Sequence, residues 1–335
     1  MLARQFGLAG MGILLRGWIS RSALLSLALL SGSVSAQNWP ARPIQLVQPL
    51  GVGSPGDIVS RAIAQSLSQS FGQPMVVENK VGANGILGME ACARAPADGY
   101  TLCVPSFSQM TMNPVLYSKL PYDPLKDFAP VVLIGAINSS IVVHASVPVN
   151  SVRELIDYAR TRPGMLNWGS WGVGSFPHLY MAWLQSVSGT AYTHVPYKSI
   201  GQAVTAVAAG EVQVLLNTPG LMAPLVKAGK IRALAVVGHK RSPHMDVPTL
   251  KEAGFEPPII SWVGVTLPVA TPREVVMRYN AEINKLLADA KFVERVLAPV
   301  SIDVVGGTPE EFAAFLKKDR ELTERVAKLA EIKRE

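Results

Sequence analysis

Residues 44–71 read IQLVQPLGVGSPGDIVSRAIAQSLSQSF. The first four of them, 44–47, predict a short β-strand, and a turn rich in glycine and proline follows. Beyond the turn, apolar residues recur at every fourth position from Val59 to Phe71, which is the spacing of one face of an α-helix. The stretch therefore predicts a strand, a loop and a helix in that order, with the helix at residues 57–71.

Downstream segments continue the alternation of strand and helix. A strand at 75–78, a helix at 85–94 and a strand at 101–104 complete a βαβαβ unit. Because strands joined through a helix run parallel, this unit predicts an α/β fold with a mainly parallel sheet and helices on both of its faces.

A second run of the same kind begins near residue 140. It opens with a helix at 151–161, where Ser151 and Glu154 form the Ser-x-x-Glu pattern of a capping box. Its remaining predicted elements, and those of the C-terminal part, are helices at 175–187, 201–209, 220–228, 272–287 and 309–330, and strands at 166–168, 191–194, 212–216, 232–236 and 302–304.

This organisation predicts two lobes, and a chain of 335 residues suits two domains of ordinary size. Apolar extended segments at 131–134 with 141–143, and at 259–266, have the character of strands that cross between lobes. The second lobe is then an insertion, and the helical C-terminus returns to the first. We expect lobe one at 37–137 and 262–335, and lobe two at 138–261.

The first 36 residues have the composition of a secretory signal peptide. Arg4, Arg16 and Arg21 are the only charges before an apolar stretch at 23–30, and small residues then lead to Ala36. This order predicts cleavage after Ala36 and export to the periplasm. A membrane anchor is the alternative, but the apolar stretch is about half the length that a bilayer span needs.

The charge of the chain limits the kind of partner. The formal net charge is +7 at pH 7, and no dense block of Lys and Arg with interleaved aromatic residues occurs. Nucleic-acid binding is therefore not expected. A mildly basic surface instead favours an anionic ligand, because it raises the local concentration of that ligand.

The two cysteines are Cys92 and Cys103. Two cysteines cannot form a disulfide framework, and their spacing is no metal signature. Cys92 falls in a predicted helix and Cys103 in the next strand, and an oxidising compartment would permit a bridge between them. We expect two buried free thiols, with a single disulfide as the alternative.

Two glycine-rich loops, at 49–57 and 170–175, each lead from a predicted strand into a predicted helix. Glycine lets the backbone turn tightly and approach a ligand closely. The helix start that follows offers unpaired N–H groups and the positive end of the helix dipole, which suit an anion. We expect the two loops to hold one carboxylate between them; the alternative is that both are ordinary tight turns.

The first loop also has the spacing of a dinucleotide-binding fingerprint. Gly51, Gly53 and Gly56 fit Gly-x-Gly-x-x-Gly, and Glu78 follows about twenty residues later. Against this interpretation, Pro49 interrupts the end of the strand that should lead into the first glycine. An exported protein would also lack a pool of nicotinamide cofactor, so no cofactor is expected.

Many short segments, in order, resemble the tripartite tricarboxylate transporter solute receptors, also called the Bordetella uptake family. The resemblance runs from about residue 43 to residue 315. The matching segments include DGYTL at 98–102, NPVLY at 113–117, DFAP at 127–130, HVPYK at 194–198, AGEVQ at 209–213 and AGKIRALA at 228–235.

The resemblance implies a type II periplasmic-binding fold, in which two mainly parallel-sheet α/β lobes are joined by two crossing strands around a ligand cleft. It also implies a receptor for a small carboxylate, with two membrane transporter subunits as partners. We expect a monomer, and a sensor is the alternative partner. The ligand-binding positions that it indicates are Leu50, Gly53, Ser54, Asp57, Ser106, Phe107, Ser108, Ser170, Trp171, Gly172, Gly174, Ser175, His178, Tyr197, Asn217 and Thr218.

Departures from the family pattern bear on the ligand. Leu50 stands where the family usually has an aromatic residue, and Ser54 stands where it has a glycine. Asn217 stands where an acid often pairs with the amino group of a ligand, so we expect a carboxylate without an amino group. Trp171 and Phe107 could flank a flat ring, which would suit an aromatic acid; alternatively, Trp171 only covers the cleft.

The alternative function is an exported, hydrolase-like enzyme that acts on a small acid in the same cleft. No Gly-x-Ser-x-Gly elbow, His-Glu-x-x-His or Cys-x-x-Cys occurs, so neither catalytic nor metal-ligating residues are expected. Ser170 and Ser175 are interpreted as hydroxyl donors and a helix cap. Asp57 is expected to cap its helix, and His178 either donates to the backbone or contacts the ligand.

Overall fold

The computed structural model describes residues 39–238 and 240–329. The predicted leader and its cleavage site, His239 and the last residue of the predicted C-terminal helix lie outside this range. Both sheets belong to the compact unit that begins at Arg42. Within the described residues, no helix is both long enough and apolar enough to cross a membrane.

The predicted alternation of strands and helices is confirmed. The strands are β1 (Ile44–Gln48), β2 (Met75–Asn79), β3 (Thr101–Cys103), β4 (Phe128–Ile137), β5 (Ser139–His144), β6 (Asn167–Ser170), β7 (Thr193–Pro196), β8 (Val214–Asn217), β9 (Ile231–Val237), β10 (Ser261–Pro268) and β11 (Ile302–Gly306). The helices are α1 (Pro55–Phe71), α2 (Ile86–Ala93), α3 (Asn113–Leu116), α4 (Val152–Arg160), α5 (Phe176–Ser188), α6 (Ile200–Ala209), α7 (Pro219–Lys227), α8 (Arg273–Ala288), α9 (Ala290–Phe292) and α10 (Pro309–Leu329).

The first lobe is built on a sheet with the strand order β11-β4-β10-β3-β1-β2. Strand β1 pairs in parallel with both β2 and β3, as the βαβαβ pattern predicts. Strand β10, however, runs antiparallel to β3 and β4, and β11 runs antiparallel to β4. This sheet is therefore mixed and not mainly parallel: β10, which returns from the second lobe, and β11, which follows the C-terminal helices α8 and α9, both run antiparallel to β4.

The second lobe is built on a sheet with the strand order β7-β6-β8-β5-β9. Strand β6 pairs in parallel with β7 and β8, whereas β5 runs antiparallel to β8 and β9. The prediction of two α/β lobes is confirmed, and the pairing corrects it in one respect, since this sheet is mixed as well.

The chain passes between the two sheets twice. Only Asn138 separates β4 in the first sheet from β5 in the second, and the chain returns between β9 and β10. The apolar segments expected to cross between lobes thus lie in β4, β5 and the region of β10. The lobe boundaries at 137/138 and 261/262 stay a prediction.

The expectation of two free thiols is wrong, because Cys92 and Cys103 form a disulfide with an S–S distance of 2.09 Å. Helix α2 packs against β3, and the two Cα atoms are 6.3 Å apart, within the range that a disulfide spans. Both cysteines are fully buried. Which face of α2 meets β3 depends on packing, so sequence alone left this open.

Helix α1 begins two residues earlier than predicted. Ser54 is its N-cap: the Ser54 hydroxyl accepts a hydrogen bond from the Asp57 backbone N–H at 3.2 Å. Pro55 occupies the first helical position, where its fixed φ suits a helix and its missing N–H leaves no bond unmade. The earlier start brings the positive end of the helix into the space between the lobes.

Candidate functional site

A small cavity of about 50 Å³ lies between the two sheets. Both lobes contribute to its wall, so a molecule inside it would touch both. The lining residues of this deep cavity are Gln48, Leu50, Pro55, Gly56, Val104, Ser106, Ser108, Ile137, Ser139, Trp171, Phe176, Ile200, Asn217, Thr218, Ser261 and Val263.

A larger outer cavity of about 540 Å³ adjoins the deep cavity. Its wall is formed by residues 49–54, 81–85 and 198–201, together with Trp171, Val204 and Leu221. Leu50, Trp171 and Ile200 line both cavities and mark the passage between them. A ligand with a small head group and a larger body would fit this pair of spaces.

The starts of four helices meet at the deep cavity. Pro55 and Gly56 begin α1, Phe176 begins α5, Ile200 begins α6, and Thr218 is the N-cap residue of α7. Each helix start carries backbone N–H groups without a partner inside the helix, together with the positive end of the helix dipole. The deep cavity is therefore suited to an anionic group.

Two buried side-chain atoms at this cavity have no hydrogen-bond partner within the described residues: Asn217 Nδ2 and the Thr218 hydroxyl oxygen. The Asn217 Oδ1 atom accepts a hydrogen bond from the Thr218 backbone N–H at 2.8 Å, and this bond fixes the orientation of the amide. Burying a polar group without a partner is costly. The unpaired Asn217 and Thr218 donors are therefore the groups that a ligand oxygen would satisfy.

The charge of the lining has one sign. Of the described residues that line the two cavities, Lys198 is the only one with an ionisable charged side chain, and none is Asp or Glu. A positive lysine and several helix starts attract a negative group. The lining offers no carboxylate that could pair with an ammonium group.

Asp57 holds the first loop in shape. Its carboxylate accepts hydrogen bonds from the Gly53 N–H at 3.0 Å and the Asn79 Nδ2 at 2.9 Å, and it pairs with Arg61 at 2.9 Å. Burial alone would raise the pKa of Asp57, but the bonds from Arg61, Gly53 and Asn79 outweigh it and hold the pKa below its ordinary value. Ser54 and not Asp57 is the N-cap, which corrects the expected capping role of Asp57. Asp57 lines neither cavity, and its contact with a ligand stays a prediction.

The second loop is held by bonds within itself and to two histidines. The Ser175 hydroxyl donates to the Gly172 carbonyl at 2.7 Å, and the Gly174 N–H donates to His178 Nδ1 at 3.0 Å. The Ser170 hydroxyl is hydrogen-bonded to His194 Nε2 at 2.6 Å. Ser175 occupies the N-cap position of α5 without a side-chain cap bond, and His178 accepts a backbone bond where a donor was expected.

The fold, the two cavities and the helix starts invite comparison with known proteins. The sequence model of a family described as "Tripartite tricarboxylate transporter family receptor" matches residues 59–331. The chain belongs to this receptor family. The resemblance found in its sequence is thereby confirmed, and receptors of this family are periplasmic.

Relatives of this receptor are similar over nearly their whole length. A protein from the tcbD–tcbE intergenic region of Pseudomonas sp. strain P51 is 37% identical over 305 residues, covering 89% of this chain and 90% of the relative. An R. palustris protein solved with adipate has a TM-score of 0.83 and 34% identity, covering 89% of this chain and 100% of that chain. MatC from Rhodopseudomonas palustris, solved with bound malate, has a TM-score of 0.78 and 28% identity, covering 86% and 99%.

The structure of this receptor sorts the positions that the resemblance indicated. Those that line one or both cavities are Leu50, Gly53, Ser54, Ser106, Ser108, Trp171, Asn217 and Thr218. Those that line neither cavity are Asp57, Phe107, Ser170, Gly172, Gly174, Ser175, His178 and Tyr197. In the second loop, side chains turn inward to hold the loop, which leaves Trp171 as its cavity-lining residue.

Phe107, which was expected to flank a flat ring, lines neither cavity. Its ring is fully buried and packs edge-on against Phe176, with the centroids 5.4 Å apart. Phe176 lines the deep cavity in its place. Tyr197 packs against the core of the second lobe, and the residue after it, Lys198, lines the outer cavity.

Sequence reasoning located α6 to within one residue but did not predict that the start of this helix lines the cavities. Ser199 caps this helix by accepting the Gln202 N–H at 3.2 Å, and the Gln202 side chain accepts the Lys198 N–H at 3.0 Å. This Ser-x-x-Gln pattern is a capping box, and it is the sequence signal that could have placed Ile200 at the site. Other lining residues, such as Gln48 and Val263, lie on strands and carry no such signal.

No group of three or more His, Cys, Asp or Glu side chains suited to hold a metal ion occurs within residues 39–238 and 240–329.

Proposed function

We propose that this receptor binds a small carboxylic acid that has no amino group, either a dicarboxylic or an aromatic acid. It delivers this acid to a tripartite-type membrane transporter or to a sensor. The observation that carries the proposal is the pair of buried, unpaired groups at the deep cavity, Asn217 Nδ2 and the Thr218 hydroxyl, among four helix starts.

The sizes of the two cavities indicate how such an acid would sit. One water needs about 10–15 Å³ of this kind of space, so the deep cavity, at about 50 Å³, suits one carboxylate head group. The body of the acid would occupy the outer cavity, beside Leu50 and Trp171. A second carboxylate there would come within the field of Lys198.

The absence of an acidic residue from the lining argues against an amino acid as ligand. An ammonium group that leaves water without a counter-charge pays a desolvation cost that nothing here offsets. Adipate and malate, with which two similar proteins were solved, are dicarboxylates without an amino group, and this supports the proposal.

A hydrolase is the competing function, and Ser170 with His194 is the arrangement nearest to a nucleophile and its base, at 2.6 Å. Ser170 is fully buried and lines neither cavity. His194 stacks on His178, and no carboxylate is hydrogen-bonded to it within the described residues. A catalytic base needs an orienting partner and access to the substrate. We infer that the receptor binds its acid without converting it.

Isothermal titration of the purified protein, after unfolding and refolding to remove any carried-over ligand, tests the proposal. The probes are adipate, a benzene dicarboxylate and glutamate. Binding of one of the first two with at least tenfold preference over glutamate is expected. Binding of glutamate alone would overturn the proposal, and NMR of the recovered acid would reveal any conversion.

Export, assembly and lobe boundaries belong to the same proposal. We expect cleavage after Ala36, a monomer in solution, and lobes that span 37–137 with 262–335 and 138–261. Mass spectrometry of protein from the periplasmic fraction gives the cleavage site. Light scattering on a sizing column gives the oligomeric state, and a mass of twice the chain would contradict the monomer.

A further inference from the structure

His178 and His194 stack face to face beside the second loop. His178 lies in the first turn of α5 and His194 in β7. Their ring centroids are 4.1 Å apart, and the ring planes differ by 14°. Both rings are half-buried. Neither lines a cavity, so their role has to be sought in what they hold.

Each ring holds one end of the loop at 170–175. His178 Nδ1 accepts the hydrogen bond of the Gly174 N–H at 3.0 Å, and His194 Nε2 is bonded to the Ser170 hydroxyl at 2.6 Å. The Ser170 hydroxyl also accepts the Gly172 N–H at 3.1 Å. The loop conformation therefore depends on both rings, and the same loop carries Trp171, which lines both cavities.

We propose that His178 and His194 are positioning residues that hold the loop at 170–175 in its ligand-binding shape only while both rings are neutral, so that acid loosens the loop and weakens ligand binding. The effect on affinity rests on the proposed function, whereas the effect on the loop does not.

The hydrogen bond at His178 gives the reason. An imidazole nitrogen that accepts an N–H bond carries no proton, so protonation of His178 Nδ1 replaces an acceptor by a donor that faces the Gly174 N–H. The bond from Gly174 is then lost. A second proton, on His194, would place two positive rings in a stack at 4.1 Å.

The surroundings provide no countercharge for a protonated pair. Strands β6, β7 and β8 and helices α5 and α6 contain no Asp, Glu, Lys or Arg. Helix α10, which also packs against α5, contributes Phe312, Leu316 and Val326 to the shared core. Its buried carboxylate, Asp319, is bonded to Trp262 and Thr111. Beyond β7, Lys198 lines the outer cavity, and Glu211 interacts with Tyr197.

The direction of the pH effect follows from the pKa values. Burial lowers the pKa of His178, and burial together with the charge of His178 lowers the pKa of His194 to about 4. In an unfolded or released loop, both rings would have a pKa near 6.5. The released loop thus binds more protons between about pH 6.5 and pH 4, and acid shifts the balance toward it.

Hydrogen exchange of the ligand-free protein tests the loop directly. After correction for the intrinsic pH dependence of exchange, amides at 170–175 should lose protection as the pH falls from 7 to 5. In His178→Gln, whose amide oxygen accepts a hydrogen bond without titrating, protection should fall less with pH than in the wild type, because only His194 still titrates. The matched control is His144→Gln, because the His144 ring is hydrogen-bonded to the neighbouring Ser146 and is far from this loop in sequence, and this variant should behave as the wild type.

Titration of the histidine rings by NMR keeps the test valid if a variant fails to fold. Wild-type His178 and His194 should both be neutral at pH 7 and titrate below the ordinary histidine pKa of about 6.5. A ring pKa of 6.5 or higher in either, or loop protection that stays constant from pH 7 to 5, would overturn the inference.

The affinity for adipate, used as the probe, provides a second and independent test of the inference. The loss of affinity from pH 7 to 5 should be larger in the wild type than in His178→Gln, by at most tenfold per pH unit for each proton involved. Protonation of adipate itself affects both proteins equally. If adipate does not bind at pH 7, the proposed ligand class is in question, whereas the exchange measurement still decides the role of the histidines.

Discussion

Gly174 of the second lobe lies directly against Leu116 of the first, so that a Cβ atom at Gly174 would stand 1.8 Å from Leu116 Cδ1. The φ angle of Gly174 is also positive, at +74°. The approach of the two lobes at this side of the cleft therefore depends on the lack of a side chain in the second loop.

Replacing Gly174 by Ala should force the lobes apart at this point. Overpacking costs about 1–3 kcal/mol, so the Kd of the bound acid should rise about fivefold or more. Titration calorimetry measures it. The matched control is Gly172→Ala, because Gly172 also has a positive φ but has open space around its Cβ position. If both variants lose the same affinity, backbone strain and not the contact with Leu116 is responsible.

The uncharged side chain of Asn217 should allow the deep cavity to bind a negatively charged head group. In Asn217→Asp, a buried carboxylate would face the carboxylate of the ligand, and affinity for a dicarboxylic acid should fall by about 3 kcal/mol or more, roughly a hundredfold. Asn217→Ala removes one donor and should cost about 1–2 kcal/mol. Equal affinities of the two variants, measured by calorimetry, would place the head group away from Asn217.

Lys198 should favour acids with a second carboxylate. Because the lysine is exposed, Lys198→Gln should weaken the binding of a dicarboxylate by only about 0.5–1 kcal/mol. The binding of a monocarboxylate of equal length should not change. The difference should shrink in high salt. Lys230→Gln is the control, since Lys230 is exposed and lines neither cavity. An equal loss for both acids would argue against a charge-specific role.

The disulfide should matter for stability and not for binding. The bridge between Cys92 and Cys103 closes a loop with a sequence separation of 11 and lies outside both cavities. Replacing both cysteines by Ser should lower the free energy of unfolding by about 2–3 kcal/mol. Urea unfolding with and without reductant measures this. The double variant should not respond to reductant, and free thiols detected in the untreated native protein would contradict the bridge.

Asp319 should make the first lobe more stable in mild acid. Burial raises the pKa of Asp319 to about 6, although bonds from Trp262 and Thr111 act in the opposite direction. The folded state then binds more protons than the unfolded state between about pH 4 and 6, so this group's contribution to stability falls as the pH rises through that window, by at most about 1.4 kcal/mol per unit.

Asp319→Asn provides the comparison for this prediction. The amide oxygen can still accept the bonds of Trp262 and Thr111, but it does not titrate. Unfolding curves between pH 4 and 7 should show a difference between wild type and variant that changes with pH only below about 6. A constant difference over the whole range would mean that Asp319 keeps an ordinary pKa.

Local patterns predicted much of this fold. The spacing of apolar residues from Val59 to Phe71 depends only on neighbours in sequence, and it located α1 to within two residues of its start. The capping pattern at Ser151 placed the start of α4 in the same way. The ordered family segments predicted the receptor family, and Asn217 and Thr218 were indicated by the family resemblance at the positions that follow a predicted strand.

What the sequence by itself determined is the order of strands and helices, the family, and which loops reach the cleft. Tertiary structure alone decided that Cys92 bonds Cys103, that both sheets are mixed, and that Trp171 lines the cavities while Ser170, Ser175 and His178 turn away from them. The spacing of apolar residues along the sequence reflects interactions within one helix or strand. The direction of a side chain in a tight turn instead depends on partners far away in sequence, such as His194 for Ser170.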